Sequence, residues 1–515
     1  MKFILVAITG AIASATIPPP SPFNYGFSSS SDQNHIKQLE IHADSKFGMF
    51  MHNGPVTQWG VEIGWPLVCI SFPCDVVRPN NTTKTLTNSQ ELAQHRQEYN
   101  DLAKTYNPVN FNATDIARRA KAAGMKYFVY TTVHCDGFLN WDSAISDYNI
   151  MNTPYGKDLF GEVVDAMKAE DIKVGAYFCT TRWGPDDSDF VYPDAMASLN
   201  SNGGEMPNYD IPTNQNLWDG YVQRFHDLIG EVAVKYQPDI FWFDCHNAPP
   251  YDTRIDDMYA AIRAENVDAL VLVRGGVFSD WTELPDQSEE TVKNMMPFER
   301  AAKSSPFEVC ATIQENSQWT YSPFSGQKKT KKLLANLMMI NAKGGNYLLN
   351  VGPMSTGEFA PEANERLDEM AEWMRVNGEA MGGTEPLFPY QSSSPVGKAG
   401  AQAYFMVRDE GAGGLSVYVM VPAEIPGDGT ADENLEFDNE FVLESFRPQL
   451  MGKGVVLDDV ELLGGSGEEG GVKFIIDNAH GISIKVLESA IEGGEKSLSN
   501  GMVFKLSFKQ NGMEL

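Results

Sequence analysis

Past its first few residues the chain has no apolar run near the roughly 18 residues that a membrane-spanning helix requires. The one marked run, Phe3 to Ala13 after Met1-Lys2, is too short and ends in the small triplet Ala13-Ser14-Ala15, so residues 1–17 read as a secretory signal peptide. Basic residues are scarce: 39 Lys and Arg stand against 69 Asp and Glu, a formal charge of −30. Such a chain is repelled by nucleic acid and by anionic membrane, and neither is expected as a partner. Cysteine is sparse too, six in 515 residues, which excludes a fold built on disulfides. Cys69 and Cys74, flanking a loop-like segment, are the expected bridge; Cys135, Cys179, Cys245 and Cys310 lie in or beside apolar runs and are expected as buried thiols. No glycine-rich dinucleotide loop follows an early strand-like run, and no internal repeat is present. Overlapping glycosylation acceptors at Asn80 and Asn81, and another at Asn112, fit a secreted, extracellular protein.

What the chain does have is alternation. The runs Phe47–Met51, Tyr127–Val133, Val174–Thr180, Ile240–Asp244, Leu270–Arg274, Val309–Ile313 and Tyr347–Val351 are short, apolar and rich in aromatic or β-branched residues, as strands covered on both faces require. Helical stripes such as Val222, Phe225, Ile229 and Val232 separate them. The pattern predicts parallel strands with crossover helices, and seven strands in some 300 residues predict a (β/α)8-like barrel over residues 24–384. A final helix from Pro361 to about Asn377 precedes a change of period. Leu415, Val417, Val419 and Val421 alternate strictly, as do Ile482, Ile484 and Val486, so residues 385–515 read as an antiparallel β-sandwich.

Polar residues cluster directly after the predicted strands: His52, then His134 and Asp136, then Arg182 and Trp183, then Asp244. A barrel keeps its chemistry at those ends. Asp244 closes the run Ile240-Phe-Trp-Phe-Asp244, and a carboxylate among bulky aromatics is costly unless it faces a cleft with partners. The plainer reading is a helix-capping aspartate. Glycosidases that retain anomeric configuration need two carboxyl groups about 5–5.5 Å apart, and Asp244 supplies one.

Five separated phrases, Lys46-Phe-Gly-Met-Phe-Met-His52-Asn-Gly54, Lys126-Tyr-Phe-Val-Tyr-Thr-Thr-Val-His134-Cys-Asp-Gly137-Phe, Trp141-Asp-Ser143, Trp242-Phe-Asp244 and Gly345-Asn-Tyr-Leu-Leu-Asn350-Val-Gly-Pro353, occur in order over roughly residues 40–385. Together they resemble the signature runs of the α-L-fucosidases, glycoside hydrolase family 29. The resemblance implies a metal-free, cofactor-free, retaining double displacement on a fucosylated glycan, with Asp244 as nucleophile. It further implies that His52, His134 and Tyr177 hold sugar hydroxyls, that Trp242 packs near the sugar, and that Arg274 lies beside the nucleophile. For the acid/base it favours Glu299, in Pro297-Phe-Glu299-Arg300, with Glu289, Glu290, Glu308 and Asp286 left open.

Two positions depart from the family pattern: Asn53 replaces a usual Trp, and Cys135 replaces a usual second His, a poorer hydrogen-bond donor. These departures keep two other readings in view, a fucose-binding protein weakened in catalysis and a retaining barrel glycosidase for another sugar. A metallohydrolase built on His52, His134, Asp136 and Asp244 is a third. His52 and His134 could each be a satisfied core histidine, Tyr177 a core tyrosine, and Arg274 a rim ion-pair partner. The oligomeric state is not read from the sequence.

Overall fold

The structure, a computed structural model, describes residues 33–67, 69, 72–179, 214–244, 254–274, 282–283, 307–392, 402–411, 414–423, 440–444, 455–465, 472–477, 481–487 and 499–510. Its strands are β1 (Phe47–Met51), the hairpin β2 (Cys74–Arg78) and β3 (Thr82–Leu86), β4 (Tyr127–Val133), β5 (Lys173–Cys179), β6 (Ile240–Asp244), β7 (Leu270–Val273), the two-residue β8 (Thr282–Glu283), β9 (Phe307–Thr312) and β10 (Gly345–Asn350). All except the hairpin join one sheet in the order β7-β6-β5-β4-β1-β10-β9-β8, and every pairing in it is parallel. The seven strands expected from the sequence are all present, within a residue or two at their ends.

Residue parity explains the curl. Phe50, Val129, Tyr177, Trp242, Leu272, Cys310 and Leu348 point to the concave side and pack on one another, whereas Met49, Phe128, Phe178, Phe241, Val271, Val309 and Leu349 point outward under the helices. With both faces covered, the strands carry apolar residues continuously instead of alternating. Gly48 faces the ring of Tyr127: a Cβ there would stand 2.5 Å from Tyr127 Cζ, so only glycine lets this tyrosine cross the interior.

The covering helices are α1 (Gln33–Ser45), α2 (Ser89–Asn100), α3 (Ala113–Ala122), α4 (Leu159–Ala169), α5 (Gln215–Tyr236), α6 (Ile255–Glu265), α7 (Thr330–Ala342) and α8 (Pro361–Asn377). Their starts follow capping chemistry. Asn112 Oδ1 accepts from Asp115 N at 3.0 Å to open α3, and Asp158 Oδ1 accepts from Gly161 N at 3.0 Å to open α4.

Beyond α8 come β11 (Glu385–Gln391), β12 (Tyr404–Gly411), β13 (Gly414–Pro422), β14 (Glu440–Leu443), β15 (Val455–Leu462), β16 (Val472–Asp477), β17 (Gly481–Val486) and β18 (Gly501–Gln510). They form two antiparallel sheets, β11-β12-β13-β18-β15 and β14-β17-β16. Val417, Val419, Phe504 and Leu506 of the first sheet meet Phe441, Leu443, Ile482 and Ile484 of the second, giving the expected sandwich core. The alternate residues Tyr418, Met420 and Val503 join the barrel's core instead. The five-stranded sheet is therefore covered on both faces, and α7, caught between it and the barrel, is buried at every residue from Leu333 to Ala342. Trp373 Nε1 of α8 donates to Gly501 O at 3.0 Å across this junction.

The cysteines require a correction. Cys69–Cys74 is a disulfide as expected. Cys135 and Cys179, expected as thiols, are also bonded to each other. The reason is topological: β4 and β5 are neighbours, Cys135 lies just past the end of β4, and their Cα atoms are 5.3 Å apart. Cys310 is buried on β9 and belongs to neither bridge. Cys245, like the signal peptide and Arg182-Trp183, lies outside the described residues.

Candidate active site

Parallel strands present their C-terminal ends on one rim, and six of the residues singled out from the sequence meet there. His52 follows β1, His134 follows β4, Tyr177 lies near the end of β5, Trp242 and Asp244 lie on β6, and Arg274 follows β7. Asp244 is the centre. Tyr177 Oη donates to Asp244 Oδ2 at 2.7 Å, and Arg274 Nη1 donates to Asp244 Oδ1 at 3.0 Å. Each carboxylate oxygen thus has a donor, one of them cationic, and Asp244 keeps 8% of its surface open. A capping role does not describe these contacts.

Trp242 stacks on Tyr177 with ring centres 5.5 Å apart, and the Arg274 guanidinium sits 5.0 Å over the Trp242 ring. The His134 ring stacks on the other neighbour of this wall, 5.4 Å from Tyr177 at an interplanar angle of 13°. His52 lies 5.7 Å from His134 and 5.1 Å from Trp319. Asn350 Nδ2 donates to Trp319 O at 2.7 Å, which leaves Asn350 Oδ1 to accept from His52 Nδ1 at 2.8 Å. The proton assigned to Nδ1 leaves His52 Nε2 as an acceptor. Burial is the main cause that pushes the pKa of His52 well below its ordinary range, with His134 adding to it. Burial likewise lowers His134 to about 4. Both imidazoles are neutral at neutral pH and suited to hydroxyl groups, which both donate and accept.

The remaining candidates are placed as follows. Glu308 has no exposed surface; its Oε1 accepts from Trp242 Nε1 at 3.0 Å and its Oε2 from Tyr127 Oη at 2.6 Å. It lies near the start of β9, deep in the barrel beneath Trp242, so as a proton donor to a leaving group it is corrected to a support for the aromatic wall. Glu299, Glu289, Glu290 and Asp286 lie outside the described residues. Asp136 accepts from Tyr99 Oη at 3.1 Å and Phe138 N at 3.2 Å, holding the turn after β4. Among the described residues the ligand-type side chains that crowd together are His134, Cys135 and Cys179; His52, Asp136 and Asp244 form no such group. Asn53 Oδ1 accepts from Tyr106 Oη at 2.9 Å and its Nδ2 donates to Tyr130 Oη at 3.3 Å, so this departure from the family pattern is bound to the outer layer.

Two residues near the site carry no sequence-based assignment. Trp319, between β9 and α7, flanks His52. Glu62, in the loop after β1, accepts from Trp319 N at 2.6 Å, Ile63 N at 3.1 Å and Thr320 N at 3.3 Å, and burial pushes its carboxyl up to about 7 against those bonds. The only local signal is an acid among glycines and tryptophans, Trp59-Gly-Val-Glu62-Ile-Gly-Trp65.

A family model described as Alpha-L-fucosidase matches residues 20–379. The tissue alpha-L-fucosidase of Mus musculus is 25% identical over 362 residues, covering 67% of this chain and 71% of that protein. Among solved structures, alpha-L-fucosidase isoenzyme 1 from Paenibacillus thiaminolyticus superposes with a TM-score of 0.65 at 22% identity, covering 93% of this chain and all of that one. A family 29 alpha-L-fucosidase from Bacteroides thetaiotaomicron, solved as a trapped covalent intermediate with 2-fluoro-fucosyl fluoride, gives 0.64 at 20% identity, covering 92% and 96%. These likenesses fix the barrel-and-sandwich fold, and the family match spans most of the chain. The chain belongs to the α-L-fucosidase family of glycoside hydrolases.

Proposed function

We propose that the enzyme is a secreted retaining exo-glycosidase that removes terminal α-L-fucose from oligosaccharides, polysaccharides or glycoproteins by double displacement, with Asp244 as nucleophile. The observation that carries this reading is the pair of donors on Asp244. Tyr177 and Arg274 keep the carboxylate charged and oriented at the barrel rim, as an attacking group must be. In the first step Asp244 bonds to the anomeric carbon while the departing oxygen takes a proton from the acid, for which Glu299 is our assignment. In the second, the same residue, now a base, takes a proton from water, the water oxygen bonds to the anomeric carbon, and Asp244 leaves as the carboxylate. Two inversions return the original configuration.

Neutral His52 and His134 hold sugar hydroxyls, and the partly open face of Trp319 suits the apolar side of a deoxy sugar, with the buried Trp242 close behind in the wall. The trapped covalent adduct of the Bacteroides thetaiotaomicron relative supports the double displacement. Secretion follows from the signal peptide over 1–17, with a barrel over 24–384 and a sandwich over 385–515 as the mature domains. The exposed turn between β2 and β3, which carries Asn80 and Asn81, suits glycosylation.

The test is Asp244→Gly assayed on an aryl α-L-fucoside. Turnover should fall at least about 10³-fold, as removal of a covalent nucleophile implies, and azide should restore part of it as the β-fucosyl azide. Near-normal turnover in the variant would refute the assignment. A galactoside cleaved as fast as the fucoside by the unaltered enzyme would overturn the sugar.

A further inference from the structure

At the lip of β4 and β5 three buried side chains form a group that the proposed hydrolysis does not need as a group. His134, Cys135 and Cys179 each offer one ligand atom, and these atoms all lie within 4.8 Å of one another. His134 Nδ1 is buried and has no hydrogen-bond partner among the described residues. Two thiolates at about 2.3 Å and one imidazole nitrogen at about 2.1 Å from a tetrahedral zinc stand roughly 3.5–3.8 Å from one another. The spacing at this lip is therefore within a small side-chain adjustment of a metal centre. What prevents one is the bond between Cys135 and Cys179, since a disulfide has no thiolate to give.

We propose that the Cys135–Cys179 disulfide is the oxidised form of a His-Cys-Cys site for a soft divalent cation, and that reduction opens the site and metal capture then inhibits the enzyme. The reductant is a dithiol. Its thiolate attacks one sulfur of the pair, its second thiol closes the reagent's own disulfide, and Cys135 and Cys179 are released as two thiols, having gained two electrons and two protons. A cation such as zinc displaces those two protons and binds both thiolates and the His134 nitrogen. The sulfur-rich donor set selects zinc, cobalt or cadmium over calcium or magnesium.

Capture removes from the pocket an imidazole that stacks on Tyr177, whose hydroxyl holds Asp244. Two thiolate charges cancel the cation's charge, so inhibition comes from the loss and displacement of His134, not from a field on Asp244. This last step rests on His134 as a sugar contact; capture itself does not.

Cobalt is the probe, because cobalt–thiolate charge transfer absorbs in the near ultraviolet where the protein does not. The intact protein, untreated or treated with dithiol and freed of it, is titrated with cobalt alone. One cobalt per chain with a thiolate band is expected after reduction and none before it. The Cys69→Ser/Cys74→Ser double variant, which removes the other bridge, should keep the band. Cys135→Ser should lose it, and His134→Ala, which leaves the bridge able to form, should weaken reduced-state binding about tenfold or more. Absence of the band in the reduced protein, or its persistence in Cys135→Ser, overturns the site. Cobalt bound with fucoside turnover unchanged overturns the inhibition, and with it the place of His134 in sugar binding.

Discussion

Glu308 shows how much one side chain beneath the site has to satisfy. Fully buried, it takes the indole N–H of Trp242 on one oxygen and the Tyr127 hydroxyl on the other. Glu308→Ala would strand both donors where water cannot reach them, at about 1–3 kcal/mol for each. Denaturant unfolding of that variant should therefore show a loss of roughly 2–6 kcal/mol. Glu308→Gln keeps an acceptor for Trp242 and turns an amide toward Tyr127 Oη, which can accept, so its loss should be near 1 kcal/mol. Equal losses in the two variants would mean that volume, not hydrogen bonding, is what Glu308 contributes. At this scale the sequence was informative where a residue stands inside a strand-end motif. His52, His134, Tyr177, Trp242, Asp244 and Arg274 each lie within two residues of a strand end, and the parallel sheet gathers them. Glu62 and Trp319 were not legible, because each lies in a loop whose path no periodicity specifies. The bond between Cys135 and Cys179 was missed for a related cause: 44 positions separate them in sequence, and only the pairing of β4 with β5 brings them together.

Among whole elements, two glycines predict opposite outcomes. On β1, Gly48 meets the ring of Tyr127, whose hydroxyl is tied to Glu308 and cannot swing aside. Gly48→Ala should cost about 1–3 kcal/mol by overpacking and should also disturb the barrel interior beneath Trp242. Within α5, a Cβ at Gly230 would meet nothing within 4 Å. Gly230→Ala should therefore stabilise by about 0.5–1 kcal/mol through helix propensity alone. Thermal melts of the two variants should move in opposite directions from the unaltered enzyme, and a shared direction would contradict this packing. The barrel strands were legible because two-sided burial leaves unbroken apolar runs. The β2–β3 hairpin was not, since only Val76 and Leu86 among its residues are buried and its other positions are polar or half-open. The alternation of β13 was read correctly on its sandwich side, but Tyr418 and Met420 on its other face are buried against the barrel, a partner that one strand's sequence cannot name.

For the molecule as a whole, the histidines decide the response to acid. His42 on α1 is pushed to about 3 by burial, with Lys173 adding to it; His134 is pushed to about 4, and His52 is well below its ordinary range. Unfolded, all three take up protons near pH 6.5. Between that pH and about 4 the unfolded chain binds more protons than the folded one, so stability complete above pH 6.5 drains away as pH falls. Glu62 acts with the opposite sign: raised to about 7, it contributes fully below about 4.5, and that contribution is lost as pH rises through 7. One rising carboxyl against three falling imidazoles leaves a net loss on the acid side. The charge of −30 works against this trend, since protonating surface carboxylates relieves repulsion, but exposed charges are screened beyond about 8 Å at physiological ionic strength. In high salt the buried histidines should therefore dominate, and unfolding free energy should decline from pH 6.5 to 4. His42→Phe keeps a ring against Tyr127, which the imidazole meets at 4.9 Å, and removes one of these buried imidazoles without touching the active-site rim. Its stability curve should be flatter over the same interval, and a slope equal to that of the unaltered enzyme would show that His42 is not what couples the fold to pH.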